Sequence, residues 1–457
     1  MAQQKIRQEN NFSVGVNLGY SPFKISDNES TYEYGFDTDN YPTLTCAKGR
    51  VSYGSSGLGT TRLLTNYGET HMVRAVSTKL QYNNTGTNWQ DIAGTFADTD
   101  WDSTNFNSKL LLTNGTDTVK VWNGLTLTDL SANAPKGKYI TNDTIRVWIA
   151  KDDELHYSAF EAESDWTSGE NSGSAQYYTP NGGDITAIRR FYDRITVFKK
   201  DAMAEVHGRN YFNFQLVEIS NEIGCVSFKT LQEVGDTLFW LGENDVYMYQ
   251  GAKPQPIGEK IRPYLASINT AYIDKCCAWT DGIRYYLHLV TGTATEPNIR
   301  LVFDPRYNVW RIPALNENYR YAVRFKNNTY VGDASGQTYV VNTGTTNNGL
   351  PVTWSITSKM YDEGYPEAEK TYLEFHMQGN LPVGTTVTLD VSVQDKGNTY
   401  INVPVSLGSS SETSNNNVII PLDIVPLTNW LKYRLTGTGY VEIDQLQRYY
   451  RIHRVQR

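Results

Sequence analysis

Acid–base groups and metal ligands leave a trace when they recur at fixed spacing. The six histidines, His71, His156, His207, His288, His376 and His453, are far apart in the chain. No H-E-x-x-H, G-x-S-x-G or G-x-x-x-x-G-K-[ST] occurs. His156 and His207 fall at or near the ends of strand-like runs and read as solvent-facing strand residues. Asp98, Asp100 and Asp102 open like a calcium loop, but the EF-hand order requires Gly at its sixth position and Glu at its twelfth. Ser103 and Lys109 stand there, so the stretch reads as a polar loop, and Asp37-Thr38-Asp39-Asn40 fails in the same way. Cys46, Cys225, Cys276 and Cys277 include no C-x-x-C and have no His at ligand spacing, which predicts reduced thiols. Glycan cleavage by a ring of blades would need two or more carboxylates converging on a central channel. The S-x-D-x-G-x-x-W box typical of sialidase-like blades is absent, and Ser164-Asp165-Trp166-Thr167-Ser168-Gly169 has the residues in the wrong order. No catalytic, cofactor-binding or metal-ligating residue is therefore assigned, and the expectation is a protein that is not an enzyme and needs no metal or cofactor.

Charge narrows the partners. Against 49 Asp and Glu stand 41 Lys and Arg, a net −8, whereas nucleic-acid binders usually carry a basic field. No apolar run reaches the roughly 18–20 residues that cross a bilayer, and the opening Met1-Ala2-Gln3-Gln4-Lys5-Ile6-Arg7 has no apolar signal segment. The expectation is no membrane insertion. Two basic clusters remain. Arg189, Arg190, Arg194, Lys199 and Lys200 surround a strand, while Arg448, Arg451, Arg454 and Arg457 interleave with Tyr449, Tyr450 and Ile452 at the chain's end. The second set reads either as a charged edge strand that blocks aggregation or as a docking surface for a partner.

The elements that would position these residues are strands. The chain has 457 residues, with 32 Tyr and 10 Trp, a composition suited to pleated, half-buried surfaces. Leu110-Leu111-Leu112-Thr113, the turn Asn114-Gly115 and Val119-Lys120-Val121-Trp122 read as a hairpin. The layout returns at Val147-Trp148-Ile149 with Leu155-His156-Tyr157, and at Ile195-Thr196-Val197-Phe198 with Ala204-Glu205-Val206. It returns again at Leu238-Phe239-Trp240-Leu241 with Val246-Tyr247-Met248-Tyr249, and at Tyr321-Ala322-Val323-Arg324-Phe325 with Tyr330-Val331 across Asn327-Asn328. The first four hairpins end at residues 122, 157, 206 and 249, intervals of 35, 49 and 43, and four-stranded propeller blades recur at roughly 40–50 residues. A short helix is expected around Lys260-Ile261-Arg262-Pro263-Tyr264-Leu265. After 342–349, a polar linker, alternation becomes regular: Val387, Leu389, Val391 and Val393; Leu373, Phe375 and Met377 against Tyr372, Glu374 and His376; Leu431, Tyr433 and Leu435. Seven such runs predict a β-sandwich, jelly-roll-like, with an exposed loop at 409–417. The fold class expected is all-β: an N-terminal arm over 1–50, an irregular β-propeller-like domain over 51–341 and a sandwich over 342–457.

Asp39-Asn40-Tyr41-Pro42 followed by Lys48-Gly49-Arg50 resembles the opening of phage virion proteins of the tail-nozzle and packaged-DNA-stabilisation type. Leu238-Phe239-Trp240-Leu241-Gly242, Pro256-Ile257-Gly258-Glu259-Lys260-Ile261 and Val302-Phe303-Asp304-Pro305-Arg306-Tyr307-Asn308-Val309-Trp310 fit the same group, as does a closing sandwich entered at Trp354-Ser355-Ile356-Thr357. The resemblance implies a structural component of a bacteriophage tail or head–tail conduit, a nozzle- or stopper-like ring that retains and passes DNA. It implies a homo-oligomer of six copies bound to adaptor, tail or fibre proteins, in passing contact with DNA only. Its place is the virion, assembled in the host cytoplasm. It also implies that residues 12–42 supply a strand to the last blade. A net acidic wall would repel DNA phosphate and let it pass. Two other classes remain open, a receptor- or glycan-binding tail or baseplate protein and a glycan-cleaving propeller enzyme.

Overall fold

The computed structural model describes residues 4–84, 86, 88–168, 171–393, 399–407 and 417–453. Among these, seven four-stranded antiparallel meanders follow one another: 61–92, 102–129, 139–176, 187–220, 232–256, 277–315, and a seventh formed by 319–341 plus Arg50–Tyr53. The first strands face one axis. Thr61–Tyr67 packs beside Asp102–Phe106 on one side and Tyr319–Phe325 on the other; Tyr139–Asn142 sits between Asp102–Phe106 and Ala187–Phe191; Cys277–Thr280 sits between Gln232–Val234 and Tyr319–Phe325. This is a β-propeller. Blades covered on both faces need continuous apolar runs, and Leu110, Leu111 and Leu112 are all buried, as are Leu238, Phe239, Trp240 and Leu241. Trp101, Trp122, Trp148, Trp240, Trp279 and Trp310 are fully buried.

All five expected hairpins form, with two changes of turn. Asn114 does not sit in a two-residue turn: its side-chain oxygen accepts from Thr116 N and Asp117 N, holding a wider loop between Lys109–Thr113 and Lys120–Trp122. In the seventh blade the turn residues are Lys326 and Asn327, with φ of 47° and 64°, one position before the expected pair. The expected helix is present as a 3-10 turn, Glu259–Ile261, running into Arg262–Ala266. Across the expected linker, Thr346–Asn347 and Leu350–Pro351 form short strands beside Arg50–Tyr53.

The remaining strands make a sandwich. One sheet contains Glu29–Tyr34, Thr353–Ser358, Leu431–Thr438, Thr386–Val393 and Ile401–Val403. The other contains Phe36–Asp37, Leu44–Cys46, Glu442–Ile452, Lys370–Asn380 and Asn417–Pro421, with Gln4–Glu9 along Glu442–Ile452. Phe36, Leu44 and Cys46 share one core with Trp354, Phe375, Leu389, Leu435 and Leu446. Residues 4–46 are therefore part of the sandwich and not a separate arm. The ring is closed by Arg50–Tyr53, paired with Thr338–Val341, and not by a strand from 12–42. The reason is geometric: Glu29–Tyr34 is already held between Gly15–Val16 and Thr353–Ser358. Gly15–Val16 also pairs with Val309–Leu315 of the sixth blade, so propeller and sandwich share one ten-stranded sheet. In Lys370–Asn380 Phe375 and Met377 face the core as expected, but a bulge at Tyr372–Glu374 exchanges the residues before them: Tyr372 enters the core and Leu373 does not. The expected loop at 409–417 lies outside the described residues except Asn417, which begins a strand.

Candidate functional site: the propeller channel

Each blade presents its first strand to the axis, and the space between encloses about 500 Å³. Hydrogen bonds stitch one arc of the wall. Asn142 Nδ2 donates to Thr104 Oγ1 at 2.6 Å and to Asn105 O at 3.1 Å, and Asn105 Nδ2 donates to Asn66 O at 3.0 Å. Ser103 Oγ donates to Thr65 Oγ1 at 2.9 Å. Strands in this arc thus carry short polar residues on the lumen side and apolar residues toward the blade interfaces.

The starts of the first strands close the axis. Phe228, on the turn leading into the fifth blade, lies 5.1 Å from Tyr139 of the third, ring centroid to centroid. The neighbouring Lys229, buried, donates to Asp100 at 2.7 Å and lies 5.3 Å from the ring centre of Tyr321 in the seventh blade. Arg320 and Arg62 reach Asp100 as well, at 3.4 and 3.3 Å. Burial pushes the Asp100 carboxyl upward, but Lys229 and Arg320 prevail and hold it below the ordinary carboxylate range.

Asp102, the carboxylate among the described lining residues, is handled oppositely. Burial pushes it up to about 6, against hydrogen bonds from Ile140 N and Ser103 N and the charge of Arg189. The three aspartates of the expected loop therefore do not converge: Asp98 pairs with Arg62 at 2.8 Å, Asp100 takes three cations and Asp102 faces the lumen. Asp37 and Asp39 both accept from Arg284 Nη1, at 2.7 and 2.8 Å. Among the described residues, no group of three or more His, Cys, Asp or Glu is arranged to hold a metal ion. All four cysteines are free and buried, and burial pushes each thiol up to about 12.

The lumen is cationic, not acidic as the net charge suggested: Arg189, Arg190, Lys229 and Arg324 line it against Asp102. The rest of the first basic cluster lies elsewhere. Arg194 pairs with Glu205 at 2.8 Å, Lys199 is buried, and Lys200 pairs with Glu243 at 2.7 Å. The second cluster is divided too. Arg448 is fully buried, its Nε 2.7 Å from Glu363 and its guanidinium also bound to Glu9 and stacked 3.7 Å from the Tyr361 ring centre. Arg451 is exposed, and Arg454 and Arg457 lie outside the described residues. Their strand is no edge, because Gln4–Glu9 and Lys370–Asn380 flank it. His156 sits 3.3 Å from Glu154, His207 bonds Glu205, and His288 is completely buried.

A second concave surface, also about 500 Å³, lies on the sandwich sheet. Tyr32, Tyr34 and Tyr400 line it with Lys432 and Arg434. Arg434 stacks 4.2 Å from the Tyr400 ring centre while pairing with Asp390 at 2.7 Å. Sequence reasoning missed this groove because Tyr32 and Tyr34 are some 400 residues from Lys432 and Arg434.

No family model and no curated protein matches the sequence. Solved structures similar to it include the extracellular domain of a putative one component system, BT4673, from B. thetaiotaomicron, at 12% identity and TM-score 0.46, covering 64% of this chain and 39% of that one. BamB from Moraxella catarrhalis is similar at 11% identity and TM-score 0.39, with 68% and 96% covered. A catalytically inactive virginiamycin B lyase from Staphylococcus aureus with quinupristin is similar at 9% and 0.43, with 74% and 99% covered. This chain thus spans 39% of the length of the first of these.

Proposed function

We propose that the chain is a structural protein of a bacteriophage particle, a ring-forming part of the tail or head–tail conduit that retains and passes DNA. The observation that carries this reading is mechanical. Propeller and sandwich share a ten-stranded sheet joined at Gly15–Trp310, and Gln4–Glu9 and Glu442–Ile452 pair as neighbouring strands around buried Arg448. Such cross-linking of the two parts suits a component that must carry load. The residues resembling tail-nozzle and DNA-stabilisation proteins supply the particle, the six-fold ring and the adaptor, tail or fibre partners. The propeller axis is stoppered by Phe228 and Lys229, so the conduit runs between copies and not through one chain. Ring closure needs a heterologous interface, and with arm and terminal strand joined inside the subunit, that interface uses other surfaces. Glycan cleavage is not favoured, because Asp102 has no second lumen carboxylate among the described lining residues. The test is to image the particle and count copies of this chain about the tail axis: six are expected, and isolated trimeric spikes would overturn the conduit.

The tyrosine groove favours a second reading, a glycan-binding tail protein, since Tyr32, Tyr34 and Tyr400 line it together with cationic donors. A saturable fluorescence change with host cell-wall polysaccharide, lost in Tyr400→Ala, would support it. No change would remove it.

A further inference from the structure

The chain leaves the sandwich for the propeller after Leu44–Cys46 and returns before Thr353–Ser358. Both crossings, through Lys48 and Arg50 on the way out and Asn347 and Val352 on the way back, wall a recess of about 260 Å³ against the sixth blade. Three cations line it, Lys48, Arg50 and Arg300, with one carboxylate, Glu317. Arg300 is only 4% exposed. Its Nε lies 3.3 Å from Glu317 Oε2, but without hydrogen-bond alignment, and both atoms are left unpartnered. Glu317 is already engaged, by Arg50 Nη1 at 3.5 Å and by the Tyr319 hydroxyl at 3.2 Å. Lys48, half-exposed at the mouth, shares Asp39 at 3.1 Å. A buried guanidinium nitrogen with no hydrogen-bond partner is costly, and native proteins rarely leave one so.

The geometry points to a binding site here for a small tetrahedral oxyanion, inorganic phosphate or sulfate, gripped by Arg300 from the blade and by Arg50 and Lys48 from the crossing segment. Three cations against two carboxylates, Glu317 and Lys48's partner Asp39, leave one net positive charge to attract an oxyanion, and the guanidinium fork matches oxyanion geometry. His288, 4.0 Å from Glu317, senses the same positive field: burial, then Arg300 and Arg50, hold its pKa well below the ordinary value. The bound ion ties the outgoing crossing to the sixth blade, so its occupancy sets how firmly propeller and sandwich are joined. This inference does not depend on the virion reading.

The test compares thermal melting and calorimetric titration of the full chain in phosphate or sulfate with chloride at matched ionic strength. A saturable rise in melting temperature at one ion per chain is expected, because a ligand bound only by the folded state stabilises it. Arg300→Met should abolish the rise, and Lys48→Ala, at the mouth, should shift its midpoint several-fold. Equal melting in sulfate and chloride would overturn the site, as would an undiminished rise in Arg300→Met. Should that variant fail to fold, an unchanged midpoint in Lys48→Ala overturns it instead. Competition by a short DNA duplex would assign the oxyanion to a nucleic-acid phosphate; the expected result is none, because Arg300 is too enclosed for a duplex to reach.

Discussion

Replacing Arg448 with Met should strand the carboxylates of Glu9 and Glu363 in the sandwich interior. Breaking a buried pair in this way costs about 3–5 kcal/mol, visible as a lower urea midpoint. Arg451→Ala, three residues on and exposed, should stay within about 0.5 kcal/mol of the native chain. The four terminal arginines look alike in sequence. Alternation shows that neighbours face opposite ways, but only the partner decides which arginine is buried, and Glu9 is 439 residues away. Asp102 makes a pH prediction. Its folded pKa near 6 exceeds the ordinary 3.8, so between roughly pH 4 and 6 the unfolded chain has released a proton that the folded chain retains. Stability from this group is therefore present below that window and lost as pH rises through it. Asp102→Asn should remove that loss, narrowing the pH dependence of the urea midpoint by about 1–2 kcal/mol.

Strand by strand, the propeller rests on a few exacting contacts. Gly15 has φ of +70°, and a Cβ there would lie 2.3 Å from Trp310 O, in the link between sixth blade and sandwich. Gly15→Ala should cost about 2–4 kcal/mol, measured by chemical denaturation. Val51→Pro should remove a donor from the strand that closes the ring, and hydrogen exchange over 319–341 should rise while the third and fourth blades keep their protection. The hairpins were legible because a turn and its two strands are contiguous. Closure by Arg50–Tyr53 was not, since its partner Thr338–Val341 follows nearly 290 residues later and carries no matching pattern. The first blade escaped notice for another reason. Its register slips at Thr61–Leu63, which breaks the alternation a reader would follow. The bulge at Tyr372 did the same inside a strand that was otherwise found.

For the molecule as a whole, shared strands predict shared unfolding. Calorimetry should give one transition for propeller and sandwich together, because neither can open without tearing the ten-stranded sheet. Chelation with EDTA should leave the melting temperature unchanged, consistent with aspartates committed to arginine and lysine. The channel's chemistry was only partly legible: Arg189 and Arg190 stood out, but their convergence with Arg324 and Asp102 comes from circular order, which net charge cannot report.

A propeller threaded into the middle of a sandwich has a history as well as a shape. The ribosome makes Leu44–Cys46 about 395 residues before Glu442–Ile452, which must pair with it. At roughly 5–20 residues per second, the early strands wait about 20–80 s with one flank open. Meanwhile the seven blades emerge in order, and the ring closes onto Arg50–Tyr53, the piece made first. Birth order thus runs inward, wheel before housing, and the nascent chain must shield Gln4–Glu9 and its neighbours until the final strand leaves the exit tunnel.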